Sequence, residues 1–171
     1  MRNNRPSAAL YDLLEEIGGA PDLEQALTIL DCRLRRLLPF EALAVFLFRG
    51  GRLALAYGSG LESRAAGAPD PPVGEAIAGR VAKTRHPAFN LDPGRETAPS
   101  FRSMLAVPLE DGGDLAGVLA LYSADAFQPV DLGVLLWIRE DLARAVRHAL
   151  GHGRTDRLPE EPPNFGAVRV F

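Results

Sequence analysis

The chain has 171 residues, 47% hydrophobic and 24% charged, which suits one globular domain with a sizeable core and short extensions. Lys and Arg number 19 against 22 Asp and Glu, and a formal net charge of −3 supplies no field to draw the chain onto nucleic acid or an anionic membrane. Its single cysteine, Cys32, excludes an intrachain disulfide and a cysteine-based zinc knuckle; with no apolar run of roughly 20 residues and no signal-peptide core, the sequence reads as soluble and cytoplasmic.

After a disordered start over 1–6, Leu10, Leu13, Leu14 and Ile17 recur at three- and four-residue spacing. They predict a helix from Ser7 to Ile17, ended by Gly18-Gly19. A second helix is expected from Asp22, whose carboxylate can cap free amides, with Gln25 three residues on. Its stripe is Leu23, Leu27, Leu30, Leu34, Leu37 and Leu38; Arg33, Arg35 and Arg36 suit its negative end, and Pro39 stops it. Ala42 to Phe48 is short and apolar, a strand buried on both faces, and Gly50-Gly51 turns it back into Arg52 to Tyr57. Gly58 to Pro72 reads as loop, Gly74 to Thr84 as a helix with Ala76, Ile77 and Val81 inward, and Pro87 to Leu91 as a short strand. A second polar loop spans Asn90 to Phe101. Ser103 to Leu109 and Leu115 to Tyr122 form a hairpin around 110–114. Pro129 opens a long helix to Leu150, Gly151 ends it, and 151–171 reads as a polar tail or linker. This order describes an α+β fold, an antiparallel sheet covered by helices.

Arg102-Ser103-Met104-Leu105-Ala106-Val107-Pro108-Leu109, a Gly turn, and Leu115-Ala116-Gly117-Val118-Leu119-Ala120-Leu121 resemble the late-strand signature of GAF domains. Ala126-Phe127 followed by Asp131 and the last helix looks like that family's exit from the sheet. Gly74 to Ala82 with Thr84, His86-Pro87 and Asn90-Leu91-Asp92 is similar to its middle helix and following strand. The resemblance covers about 7–150; the helical pair at the start and the Arg102–Leu109 phrase argue against a PAS-like fold. It implies a sheet of five to six strands, N- and C-terminal helices on one face, and a pocket on the other beneath loops at 58–72 and 90–101. It also implies a sensory module of bacterial signalling proteins. Family members hold cyclic nucleotides, haem, bilins or small metabolites, and many hold nothing known.

Bilin attachment and methionine-sulfoxide reduction in such relatives both need pocket cysteines, whereas Cys32 sits in an early helix, so neither covalent bilin nor that enzyme chemistry is expected. Cyclic-nucleotide binders carry an Asn-Lys pair before a Phe and an Asp-Glu; here Phe127 and Asp131 remain beside Ser123-Ala124 and Leu132, and the remaining half builds a helix start. His86 beside Pro87 reads as a surface or packing residue, with haem ligation a minority reading. His148 and His152 are four apart, but Gly151 is expected to break the helix between them and no further ligand completes a metal set. Gly58-Ser59-Gly60 has no base partner and is no nucleophile elbow, so catalysis has no candidate. Strand alternation groups Ala42, Ala44, Phe46 and Phe48 on one face, Met104 with Ala106, and Ala116, Val118, Ala120 and Tyr122. These small side chains either leave room for a ligand or let a helix pack close. Candidate pocket residues are Phe46, Tyr57, Arg80, His86, Phe89, Phe101, Arg102, Met104 and Tyr122; the ligand stays unnamed.

The last helix has a main stripe of Leu135, Ile138, Leu142, Val146 and Ala149, with Val130, Val134 and Trp137 on its far side. A tryptophan facing water suggests a parallel homodimer built from this helix and the first one, with Leu10 and Leu14; the alternative is that the 58–72 loop or the tail covers Trp137. Thr155-Asp156-Arg157-Leu158 and Pro163-Asn164 look like a degenerate lead-in to a diguanylate cyclase domain, so such a cyclase, a histidine kinase or a phosphodiesterase is a candidate downstream effector. The reading is a ligand-binding, dimerising sensor, with a structural dimerisation domain whose pocket has collapsed as its rival.

Overall fold

Helical periodicity places the first two elements. In a computed structural model that describes residues 8–61, 73–94 and 100–152, α1 (Ala8–Gly18) buries Leu10, Leu13 and Ile17. α2 (Leu23–Leu34) starts where the Asp22 carboxylate accepts the Gln25 amide at 2.8 Å, as the capping pattern predicts. A bidentate ion pair from the Arg33 guanidinium to the Glu16 carboxylate joins the two helices.

Five strands follow among the described residues. β1 (Ala42–Arg49) and β2 (Arg52–Ser59) turn at Gly50 and Gly51, whose φ values of 54° and 79° suit glycine. α3 (Ala76–Thr84) then crosses to β3 (Ala88–Leu91) at the far edge, and β4 (Ser103–Asp111) and β5 (Asp114–Ser123) fill the centre. The order is β2-β1-β5-β4-β3, every pair antiparallel. One face carries Leu43, Val45, Leu47, Leu105, Val107, Leu109, Leu119 and Leu121 against α1, α2 and the last helix, α4 (Pro129–His152). The opposite face carries α3.

Strand alternation is broken at three places, and each changes which side chains share a face. On β2 the register jumps from Val45 opposite Tyr57 to Phe46 opposite Leu55, so Ala56 is an extra residue. On β5 it jumps from Leu109 opposite Gly117 to Glu110 opposite Leu115, leaving Ala116 extra. Ala116 therefore joins the α1/α2/α4 face, not the face of Val118, Ala120 and Tyr122 as alternation predicts. The third bulge lies at Asn90, in the left-handed region at φ 53°.

Asn90 turns that irregularity into a clamp. Its Nδ2 donates to the Phe127 carbonyl at 2.9 Å and its Oδ1 accepts the Phe127 amide at 2.7 Å. This fixes the exit from β5, buries Phe127 at the sheet edge, and sets the start of α4, where the buried Asp131 carboxylate accepts the Gln128 amide at 2.7 Å. Asp131 thus serves as a helix cap. Asn90→Ala removes both bonds and puts a β-carbon with no local hydrogen bond at positive φ. It is expected to cost about 2 kcal/mol in urea unfolding.

α4 differs from expectation at its end: it passes through Gly151 to His152, since one exposed helical glycine costs only about 1 kcal/mol. Gly151 therefore does not separate His148 from His152. The expected N-terminus over 1–6, most of the first loop (62–72), part of the second (95–99) and the tail over 153–171 lie outside the described residues. Among those described, no helix is long and apolar enough to cross a membrane.

Candidate functional site

The face beneath α3 is built from small and aromatic side chains. Ala44, Ala120, Ala106 and Ala88 are successive cross-strand neighbours over β1, β5, β4 and β3, all of them buried. They form a shallow trough, because nothing larger than a methyl rises from the sheet along that row. α3 lies over it and adds Ile77, Ala78, Val81 and Ala82 to the same cluster. The small residues thus let a helix pack close, one of the two uses open at the sequence level. Beside the trough runs the row Ala42, Tyr122 and Met104; the Tyr122 ring meets Phe101 at 5.8 Å between centroids and 39° between planes. Phe46, Phe48, Leu55 and Val73 border the cluster and are only partly buried.

Four candidate pocket residues are therefore brought together here: Phe46, Phe101, Met104 and Tyr122. Five are not. Tyr57 lies on the opposite face, because the extra residue at Ala56 turns it towards α2. Phe89 pairs with Leu105 and, like it, packs with the α1/α2/α4 layer. Arg80 is exposed on the outer side of α3, where a helix that turns Ile77, Ala78, Val81 and Ala82 inward must leave it. His86 is exposed just beyond α3, and its amide donates to Thr84 Oγ1 at 3.4 Å. Arg102 is exposed at the start of β4, its amide bonded to the Ser123 carbonyl at 3.0 Å.

A polar centre that strand alternation missed sits on the helical side. Asp31 is buried, and both its oxygens are engaged: Oδ1 by Arg35 Nε at 2.8 Å, Oδ2 by the Tyr57 hydroxyl at 3.0 Å. Arg35 also donates to Ser59 Oγ at 2.8 Å and to the Glu41 carbonyl at 3.3 Å, with its guanidinium 4.7 Å from the centre of the Phe40 ring. Burial, the Asp31 charge and the hydrogen bond to Asp31 together hold the Tyr57 hydroxyl well above the ordinary tyrosine range. The signal was present in the sequence, since Asp31 occupies the apolar stripe between Leu27 and Leu34.

The outer face of α1 and α4 carries the second candidate surface. Trp137 is half-buried and meets the Tyr11 ring edge-on, 5.2 Å between centroids and 82° between planes. Its cover in the described structure comes from α1. Val130 is 69% exposed and Tyr11 58%, whereas Val134 and Leu14 are half-buried. Leu10, expected at this surface, is instead a core residue at 6% exposure. The turn of α1 that buries Leu10, Leu13 and Ile17 puts Tyr11 outside in its place.

Residues 20–147 match the family model described as the GAF domain. No curated protein matches the chain. Among solved structures, it is similar to the GAF domain from a phosphoenolpyruvate-protein phosphotransferase of Coxiella burnetii, at 25% identity and TM-score 0.73, over 86% of this chain and 95% of that one. The corresponding domain from Acinetobacter gives 18% identity and TM-score 0.73, over 86% and 96%. Free methionine-R-sulfoxide reductase from Neisseria meningitidis, solved with its substrate, shares the fold at 18% identity and TM-score 0.72, over 85% and 90%. With the late-strand phrase on β4 and β5, the five-stranded sheet between α3 and the three other helices, and a family match over most of its length, the chain belongs to the GAF domain family, a family of sensory and regulatory domains.

Proposed function

We propose that the chain is a cytoplasmic sensory domain that takes a small molecule on the α3 face and acts as a homodimer through α1 and α4 to control an effector. The functional unit on this reading is 7–150, with 151–171 as the link to a partner domain such as a diguanylate cyclase or histidine kinase. One observation carries it: alternate residues of the same two central strands serve the two surfaces. Met104 and Ala106 of β4, with Val118 and Ala120 of β5, floor the α3 face, while Leu105, Val107 and Leu109, with Leu119 and Leu121, support the helical layer. A ligand that shifts these strands shifts the support of α4, and packed layers pass on small displacements as discrete rearrangements. A regulatory role, not a catalytic one, fits the position of the single cysteine: Cys32 is exposed on α2, in the layer across the sheet from α3.

A second reading is favoured by the trough itself. Its alanines are already buried under α3, as they would be in a dimerisation domain whose pocket has closed. Light scattering after size exclusion tests what the two readings share. The parent chain is expected to run as a dimer, and Trp137→Glu combined with Val130→Glu as a monomer with unchanged circular dichroism. A parent that stays monomeric at high concentration removes the dimer. Native mass spectrometry of the purified chain separates the readings, because a retained small molecule favours the sensor.

A further inference from the structure

We propose, resting on the reading of the α3 face as a ligand site, that its ligand is a neutral apolar molecule bearing an aromatic ring, and that anions are rejected. The buried polar side chains of the described residues are Asp31, Ser103, Ser123 and Asp131. None belongs to the α3 face, where the Tyr122 hydroxyl is a buried but neutral polar group. Asp31 is held by Arg35 and Tyr57 on the helical side, and Asp131 caps α4. Ser103 and Ser123 are cross-strand partners at the end of β4 and β5, one residue out of phase with Met104 and Tyr122. Basic residues on its elements, Arg52 of β2, Arg80, Lys83, Arg85 and His86 on and just after α3, and Arg102 before β4, are all exposed. The backbone of the floor is committed to its ladders across β1, β5 and β4.

An anion entering this cluster thus meets, among the described residues, no buried cation and no buried charged donor. Stripping a charge of water without such partners is among the costliest steps in binding. A neutral ring meets the opposite situation. Phe101 and Tyr122 already form a tilted aromatic pair, Met104 adds a polarisable sulfur in the next strand, and Phe46 is partly open at the border. Rings favour offset and edge contacts with such neighbours, and sulfur packs well against ring edges.

Met104 supplies its own reporter. The chain has two methionines, Met1 at the terminus and Met104 in this floor. A carbon-13 methyl-methionine spectrum of the full chain therefore reads the site directly, without a variant that might unfold. Indole and phenol are the neutral probes; indole-3-acetate and cyclic AMP are the anionic ones. Indole or phenol is expected to move the Met104 methyl signal through ring currents and saturate, with both anions at least about 100-fold weaker. Phe46→Ala, at the open border, is expected to weaken the neutral probe several-fold while leaving the fold intact. An anion that moves Met104 as strongly as indole overturns the proposed ligand class but leaves the site in place. Indole binding that leaves Met104 unmoved puts the site elsewhere and overturns both. If no probe moves Met104, the proposal falls and the closed, structural reading takes over.

Discussion

Gly117→Ala is expected to unfold the domain or to lower its stability by more than about 3 kcal/mol. Gly117 lies in the middle of β5, between Leu47 of β1 and Leu109 of β4. A β-carbon there would stand 2.0 Å from the Phe46 carbonyl oxygen, 3.0 Å from the Phe46 carbonyl carbon and 3.2 Å from Leu47 Cα. All three are backbone atoms of a central strand pair, so no side-chain end can swing away. Relief requires β1 and β5 to separate, which breaks ladder bonds and pulls Phe46 out of register with Val118. Gly133→Ala is the matched control. It lies exposed within α4, and a β-carbon there meets nothing within 4 Å. The same change is expected to stabilise by about 0.5–1 kcal/mol, through better helix propensity and a less flexible unfolded chain. Urea unfolding of both variants checks the pair. An unchanged midpoint for Gly117→Ala would show that the two strands are not held as closely as described.

The elements were legible in the sequence because their hydrophobic periods are strong. The Leu10–Ile17 stripe, the Asp22 cap, the Ala42–Phe48 run and the β4–β5 hairpin each put a known force at a known spacing. Phase within the sheet was harder to read. Alternation assumes one residue per pleat, and a single extra residue inverts everything beyond it. At Ala56 that inversion sends Tyr57 to α2 instead of α3, and at Ala116 it moves a small residue from one core to the other. No residue type announces such a bulge, since alanine pairs and bulges alike. Phe89 was lost for a related reason: β3 has four residues, too few for its own pattern to fix which face it shows. Arg80, His86 and Arg102 were drawn to the candidate site by chemistry, yet their backbones place them outside it. Long charged side chains keep to water unless a partner is built for them, as Asp31 and Ser59 are for Arg35 on the other side of the sheet.

Asp31→Ala is expected to cost about 2–3 kcal/mol, because it takes the charged acceptor away from Arg35 Nε and from the half-buried Tyr57 hydroxyl at once. The cost should exceed that of a surface ion pair, for this carboxylate joins three elements at once. Arg35 holds the end of α2 to the Glu41 carbonyl at the head of β1 and to Ser59 at the end of β2, while Tyr57 ties the inverted stretch of β2 to α2. Tyr57→Phe removes only the neutral partner and is expected to cost about 1–2 kcal/mol. Its signature is in the pH dependence. The Tyr57 hydroxyl is raised above its ordinary value in the folded chain, by burial first and then by the Asp31 charge. Over a window starting near pH 10, the unfolded tyrosine gives up its proton while the folded one keeps it. The unfolded state then binds fewer protons, so stability falls as pH rises and is fully present only below that window. Tyr57→Phe should therefore lose stability at neutral pH but show a shallower decline on the alkaline side, and the two unfolding curves should converge there. Asp31→Asn should lessen the alkaline decline in part, since it removes the charge but not the burial. An alkaline limb that is equally steep in the parent chain and in Tyr57→Phe would assign that decline to other groups and leave Tyr57 without a special tie to Asp31.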